Sequence, residues 1–104
     1  MSNKNFGEGF DQLQATDNFK KLHLTKQNSN ETLSLDNIPG KQASVKILYN
    51  IANNSIIGTE EAQKGLALYG DYTQEEKQQP NSHPNIRFLI DVINNNEEWL
   101  VKAE

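Results

Sequence analysis

The sequence predicts an α+β fold, a small antiparallel sheet packed against three to four helices. Period-two alternation marks strands near the start, in Lys21-Leu22-His23-Leu24-Thr25 and Glu31-Thr32-Leu33-Ser34-Leu35-Asp36. It returns at the end with Trp99, Val101 and Ala103. The segments between carry helical stripes, so strands and helices do not alternate strictly as a parallel βαβ fold requires. A chain of 104 residues supports one domain over 1–104 with one core, residues 1–5 being expected to be flexible.

Phe6, Phe10 and Leu13 are spaced i, i+4, i+7 and predict a short helix from about Asn5 to Gln14, weakened by Gly7 and Gly9. The two alternating runs after it are joined by the turn cluster Gln27-Asn28-Ser29-Asn30 and form a hairpin that ends at Pro39-Gly40. Gln42–Asn53 fits two periods: Val45, Ile47, Tyr49 and Ile51 alternate, while Val45, Leu48, Tyr49 and Ala52 make a helical stripe. Its length of about a dozen residues favours helix.

Thr59 is the expected N-cap of the next helix, with Glu60 and Glu61 in its first turn. Gly65 inside that helix points to a close helix crossing, and Gly70 bends or ends its first half. The joint Gln79-Pro80-Asn81-Ser82-His83-Pro84-Asn85 leads to a last helix capped by Ser82 or His83, with Pro84 in its first turn. Ile86, Leu89, Ile90 and Ile93 form its expected buried stripe, widened by Phe88 and Val92, and Asn94-Asn95-Asn96 stops it. A terminal strand from Trp99 then pairs with the hairpin, burying the only tryptophan.

Apolar residues make up 35% of the chain and its net charge is −4. The core is therefore expected to be thin, with part of the apolar surface covered by a partner, a homo-oligomer being the simplest case. A mixed, net acidic surface argues against nucleic acid and anionic membranes as partners. No apolar run reaches the roughly 20 residues of a membrane span. The absence of cysteine excludes thiol chemistry and disulfides and suits a reducing compartment. The start has no apolar signal-peptide core, so the expected location is cytoplasmic.

Candidate chemistry concentrates at the joint before the last helix. His83 and Asn85 lie at a helix start, where unpaired N–H groups and the dipole favour an anion. Lys41 and Gln42, just after Pro39-Gly40, are the groups that could reach the same ligand. The competing explanation is a local cap and a solvated lysine. His23 falls on the polar face of a strand, and two histidines without an HExxH element predict no metal and no cofactor. The pairs Glu60/Glu61, Glu75/Glu76 and Glu97/Glu98 read as solvated faces, because adjacent helical residues point about 100° apart. Gly7-Glu8-Gly9 lacks the rest of a phosphate loop, and no serine sits in a GxSxG elbow.

Three segments carry a resemblance: Ile38-Pro39-Gly40-Lys41-Gln42, Glu61-Ala62-Gln63-Lys64-Gly65-Leu66-Ala67-Leu68-Tyr69, and His83-Pro84-Asn85-Ile86. Together they are similar to a family of small bacterial proteins of unknown function, over most of the chain from about Phe19. In that family's pattern an acidic residue and a histidine follow the Gly-Leu-Ala-Leu-aromatic run. Asp71 matches the acid, and Tyr72 stands at the histidine's position. The resemblance implies one domain and no particular activity. The leading expectation is thus a non-enzymatic, self-associating interaction module. The alternative is an anionic-ligand binder or enzyme around His83, with a nucleic-acid regulator third.

Overall fold

The computed structural model describes residues 4–104. Its elements are β1 (Lys21–Lys26), β2 (Thr32–Asp36), α1 (Gln42–Ile51), β3 (Ile56–Ile57), α2 (Thr59–Tyr69), α3 (Asp71–Gln78), α4 (Pro84–Asn95) and β4 (Trp99–Ala103). The strands form an antiparallel sheet in the order β2-β1-β4-β3. This is the α+β architecture expected, with a fourth strand too short for any periodicity to announce it.

β4 is the last strand in sequence but lies inside the sheet, with Leu24 of β1 opposite Val101 and Ile57 of β3 opposite Trp99. The core forms on one face of the sheet, where Leu22, Leu24, Ile57, Trp99 and Val101 meet Ile47, Leu48 and Ile51 of α1 and Ile86, Leu89 and Val92 of α4. Trp99 is 2% exposed. Phe88 packs edge-on against it at 5.0 Å, and its indole N–H donates to Glu97 Oε1 at 2.9 Å. The buried aromatic thus has both an apolar body and a satisfied polar tip.

Gln42–Ile51 resolves as a helix, because only that period buries Val45, Leu48 and Ile51 together. The helix expected over Asn5–Gln14 is corrected to a single 3₁₀ turn at Phe10–Gln12. Gly7 donates its N–H to Leu68 O at 2.8 Å, docking the segment as extended chain, and the Phe6 and Phe10 rings stack at 4.1 Å. Tertiary contact overrides a weak helical stripe here. Lys4 and Asn5 are tied to α3, Lys4 Nζ lying 2.8 Å from Glu75 and Asn5 O accepting the Asp71 N–H at 3.0 Å. For Met1–Asn3 the expected flexibility lies outside the described residues.

Thr59 is the first helical residue rather than the cap. Gly58 takes the cap position, and its N–H donates to Glu61 Oε1 at 2.8 Å. The buried stripe of α4 is Ile86, Leu89 and Val92, whereas Ile90 and Ile93 are half-buried at its margin. A Cβ on Gly65 would come within 2.6 Å of Leu89 Cδ1 and 3.0 Å of Ile51 Cδ1, so α2 crosses α4 and α1 closely at this residue. Gly70 separates α2 from α3 with φ 61°, and a Cβ there would stand 2.5 Å from Asn5 O. No side chain fits, which fixes the bend at glycine.

Because β4 is paired on both sides, Trp99→Ala is expected to lower stability by about 3–5 kcal/mol. Deleting Trp99–Glu104 is expected to abolish cooperative unfolding. Urea denaturation followed by circular dichroism measures both, and a truncated chain with an unchanged transition would refute the central role of β4.

Candidate functional site

The joint between α3 and α4 is organised by Glu76. Its side chain is fully buried, so the expectation of a solvated Glu75/Glu76 pair is corrected for this residue. A carboxylate without water needs donors, and the loop supplies them. The backbone N–H of Asn81 donates to Oε2 at 2.7 Å and that of His83 to Oε1 at 2.6 Å. Arg87, one turn into α4, donates Nε–H to Oε2 at 2.7 Å. Burial pushes the Glu76 carboxyl up, but the Asn81 and His83 N–H groups and the Arg87 guanidinium outweigh it, holding the pKa down at about 2. Asn81 itself has φ 74°, a left-handed turn that aims its N–H at the glutamate.

Glu75 points the other way, toward Lys4 and the His83 ring, whose Nε2 meets its Oε1. The Lys4 ammonium first, then His83, hold its carboxyl below the usual range. Tyr72 sits edge-on to the His83 ring at 5.6 Å. The position where the family pattern has a histidine therefore carries an aromatic wall for His83.

Lys41, His83 and Asn85 line one cleft of about 420 Å³, with Ser44, Tyr69 and Ser82. Gln42 is exposed and lies outside its lining. His83 is the cap by position but makes no side-chain cap bond. The N-terminus of α4 has little left for a ligand. Glu76 takes the His83 N–H, Pro84 has none, and the N–H groups of Ile86 and Arg87 both go to His83 O, at 3.1 and 3.0 Å. Tyr69 donates to Ser44 Oγ at 2.7 Å, and burial raises its phenol to about 12, which makes it a poor proton donor at neutral pH. His23 lies on the outer face, bound to Ser34 Oγ at 3.2 Å and Glu104 Oε1 at 2.6 Å. Among the described residues, no group of three or more His, Asp or Glu is arranged to hold a metal ion.

A second feature adjoins this cleft. Leu35 and Asn85 also line a recess of about 70 Å³ with Leu33 and Phe88, directly under the β2 edge of the sheet. Leu33 is 43% exposed and Ile38, two residues beyond the strand, is 47% exposed. Alternation places Leu33 in the hairpin but does not single it out, because it gives the facing of a residue and not whether a helix covers it.

The arrangement defines a small α+β domain with a self-satisfied polar joint and an open sheet edge, without a convergent catalytic set among the described residues. The chain belongs to the family described as uncharacterized protein conserved in bacteria (DUF2322), which matches residues 6–103. No curated protein and no solved structure matches it.

Glu76→Gln leaves Arg87 and two N–H groups around a neutral amide, and is expected to cost about 3 kcal/mol, the lower end for a broken buried pair because Arg87 remains partly exposed. The pH effect has a definite sign. Between the ordinary value of 4.5 and about 2, the unfolded chain binds a proton that folded Glu76 excludes. Stability from Glu76 is therefore complete above pH 4.5 and declines as pH falls toward 2. Thermal melts across that window should show a shallower slope for Glu76→Gln than for the native chain. Equal slopes would remove the assigned role of Glu76.

Proposed function

We propose that this protein is a cytoplasmic, non-enzymatic interaction module whose binding surface is the β2 edge of the sheet. One observation carries the reading: the exposed large apolar side chains among the described residues, Leu33 and Ile38, lie on or beside this edge. Isolated exposed leucines are common. Here, however, they adjoin an apolar recess and a strand with an unpaired side, the combination that strand-addition surfaces use. The absence of a membrane-length apolar helix among the described residues is compatible with this reading. Chemical cross-linking in cells of the producing bacterium, followed by gel filtration of the lysate, tests it. The protein is expected to elute well above its 11.8 kDa mass, and Leu33→Lys is expected to move it to the monomer position while the circular dichroism spectrum of the native fold is kept. Identical elution of the two proteins would reject the edge as the binding surface.

The second reading, a small anionic ligand in the cleft, is favoured by Lys41, His83 and Asn85 lining one hollow. It is weakened by the use of the His83 N–H and ring on Glu76 and Glu75. Gln42 would have to swing in to join the site. The interaction reading expects inorganic phosphate to leave the melting temperature unchanged at constant ionic strength. A rise that Lys41→Ala with His83→Ala erases would instead favour the ligand site.

A further inference from the structure

The backbone of β2 shows which of its groups are free. Lys26 donates its N–H to Glu31 O at 2.9 Å, and Asn37 donates to Lys20 O at 2.9 Å. Antiparallel ladders alternate, so the odd-numbered residues of β2 bond to β1, and Thr32, Ser34 and Asp36 turn their N–H and C=O groups outward. Natural proteins protect such an edge with lysine, proline, a bulge or a covering segment. Thr32-Leu33-Ser34-Leu35-Asp36 contains no lysine, proline or glycine, and it pairs with β1 residue for residue without a bulge.

We infer that a second copy of this chain covers the edge, with β2 pairing antiparallel to β2 of the partner about a two-fold axis at Ser34. This inference rests on the interaction-module reading above. The strand is self-complementary in this register. Ser34 faces the partner's Ser34, and Thr32 faces the partner's Asp36, a hydroxyl donor opposite a carboxylate. Every outward residue of the strand then finds an outward residue. Any shift sets an outward residue against a turn, and centring on Asp36 opposes two carboxylates, which is destabilising. The charges at this edge are already balanced within one protomer, Glu31 by Lys26 at 3.9 Å and Asp36 by Lys21 at 3.7 Å. No uncompensated charge resists the approach of an identical strand.

The side chains agree with the backbone. Leu33 and Leu35 lie opposite the buried Leu24 and Leu22, and so project to the helix-covered face. In the Ser34-centred register Leu33 meets the partner's Leu35, and the reverse, so four leucines close the seam. The two sheets become one continuous sheet, and the exposed part of Leu33 is removed from water. The contact is short, which places it among weak, concentration-dependent interfaces.

Sedimentation velocity of the purified chain, from micromolar to on the order of 1 mM for so small an interface, is expected to show mass rising from 11.8 kDa toward twice that value. Leu33→Lys and, independently, Ser34→Pro, which removes the outward N–H along with the exposed hydroxyl that meets His23, are expected to weaken association at least tenfold. The chain has no cysteine, so register can be read by single-cysteine oxidation. Ser34→Cys is expected to form a covalent dimer. Thr32→Cys is not, because its counterpart lies four residues along, roughly 13 Å away and beyond disulfide reach. A constant monomer mass overturns the inference, as does cross-linking of Thr32→Cys as readily as Ser34→Cys. If the purified chain is monomeric while Leu33→Lys still changes elution in the lysate, the edge binds another protein. In that case the second copy is wrong and the module reading survives.

Discussion

A carboxylate removed from water must be given donors, and at Glu76 they come from three places separated in sequence. The N–H groups of Asn81 and His83 and the Arg87 guanidinium converge on its two oxygens. Those bonds set the path of the chain from α3 into α4, and the start of α4 sets where Ile86 and Leu89 enter the core. Replacing such a cluster by apolar groups of equal shape can be neutral or stabilising, whereas breaking one member is costly. Its contribution is therefore to the uniqueness of the joint more than to gross stability.

The same bonds decide what the joint does not offer. A helix N-terminus attracts anions because its first N–H groups lack partners. In this protein an internal glutamate already occupies that place, and Glu75 holds the His83 ring. Lys41 and Asn85 remain along the cleft, but the strongest anion-binding groups have been used by the fold itself. At the β2 edge, by contrast, backbone groups and the exposed part of Leu33 face solvent together.

Much of the architecture was legible in the residues. Alternation located β1, β2 and β4, since facing in a strand is a local property of period two. Pro84 and the Asn94-Asn95-Asn96 run located α4, and Gly65 marked the close crossing of helices. The stripe of Phe6, Phe10 and Leu13 misled because its helical form would compete with the bond from Gly7 to Leu68, which no local pattern reveals. Lys41, His83 and Asn85 do border one cleft, but Gln42, the first helical residue after the non-helical Lys41 cap, is exposed outside it.

The sequence by itself determined the α+β class, the membership of the hairpin and last strand in one antiparallel sheet, and the burial of Trp99. Each follows from periodicity, glycine and proline, which act over a few residues. Only the tertiary structure decided that Glu76 is buried and Glu75 is not. It alone showed that β4 lies inside the sheet with β3 beyond it, and that β2 is left as the open edge. Those outcomes depend on which distant groups arrive alongside, Arg87 for one glutamate and a covering helix or none for a strand, and a local pattern carries no record of its neighbours in space.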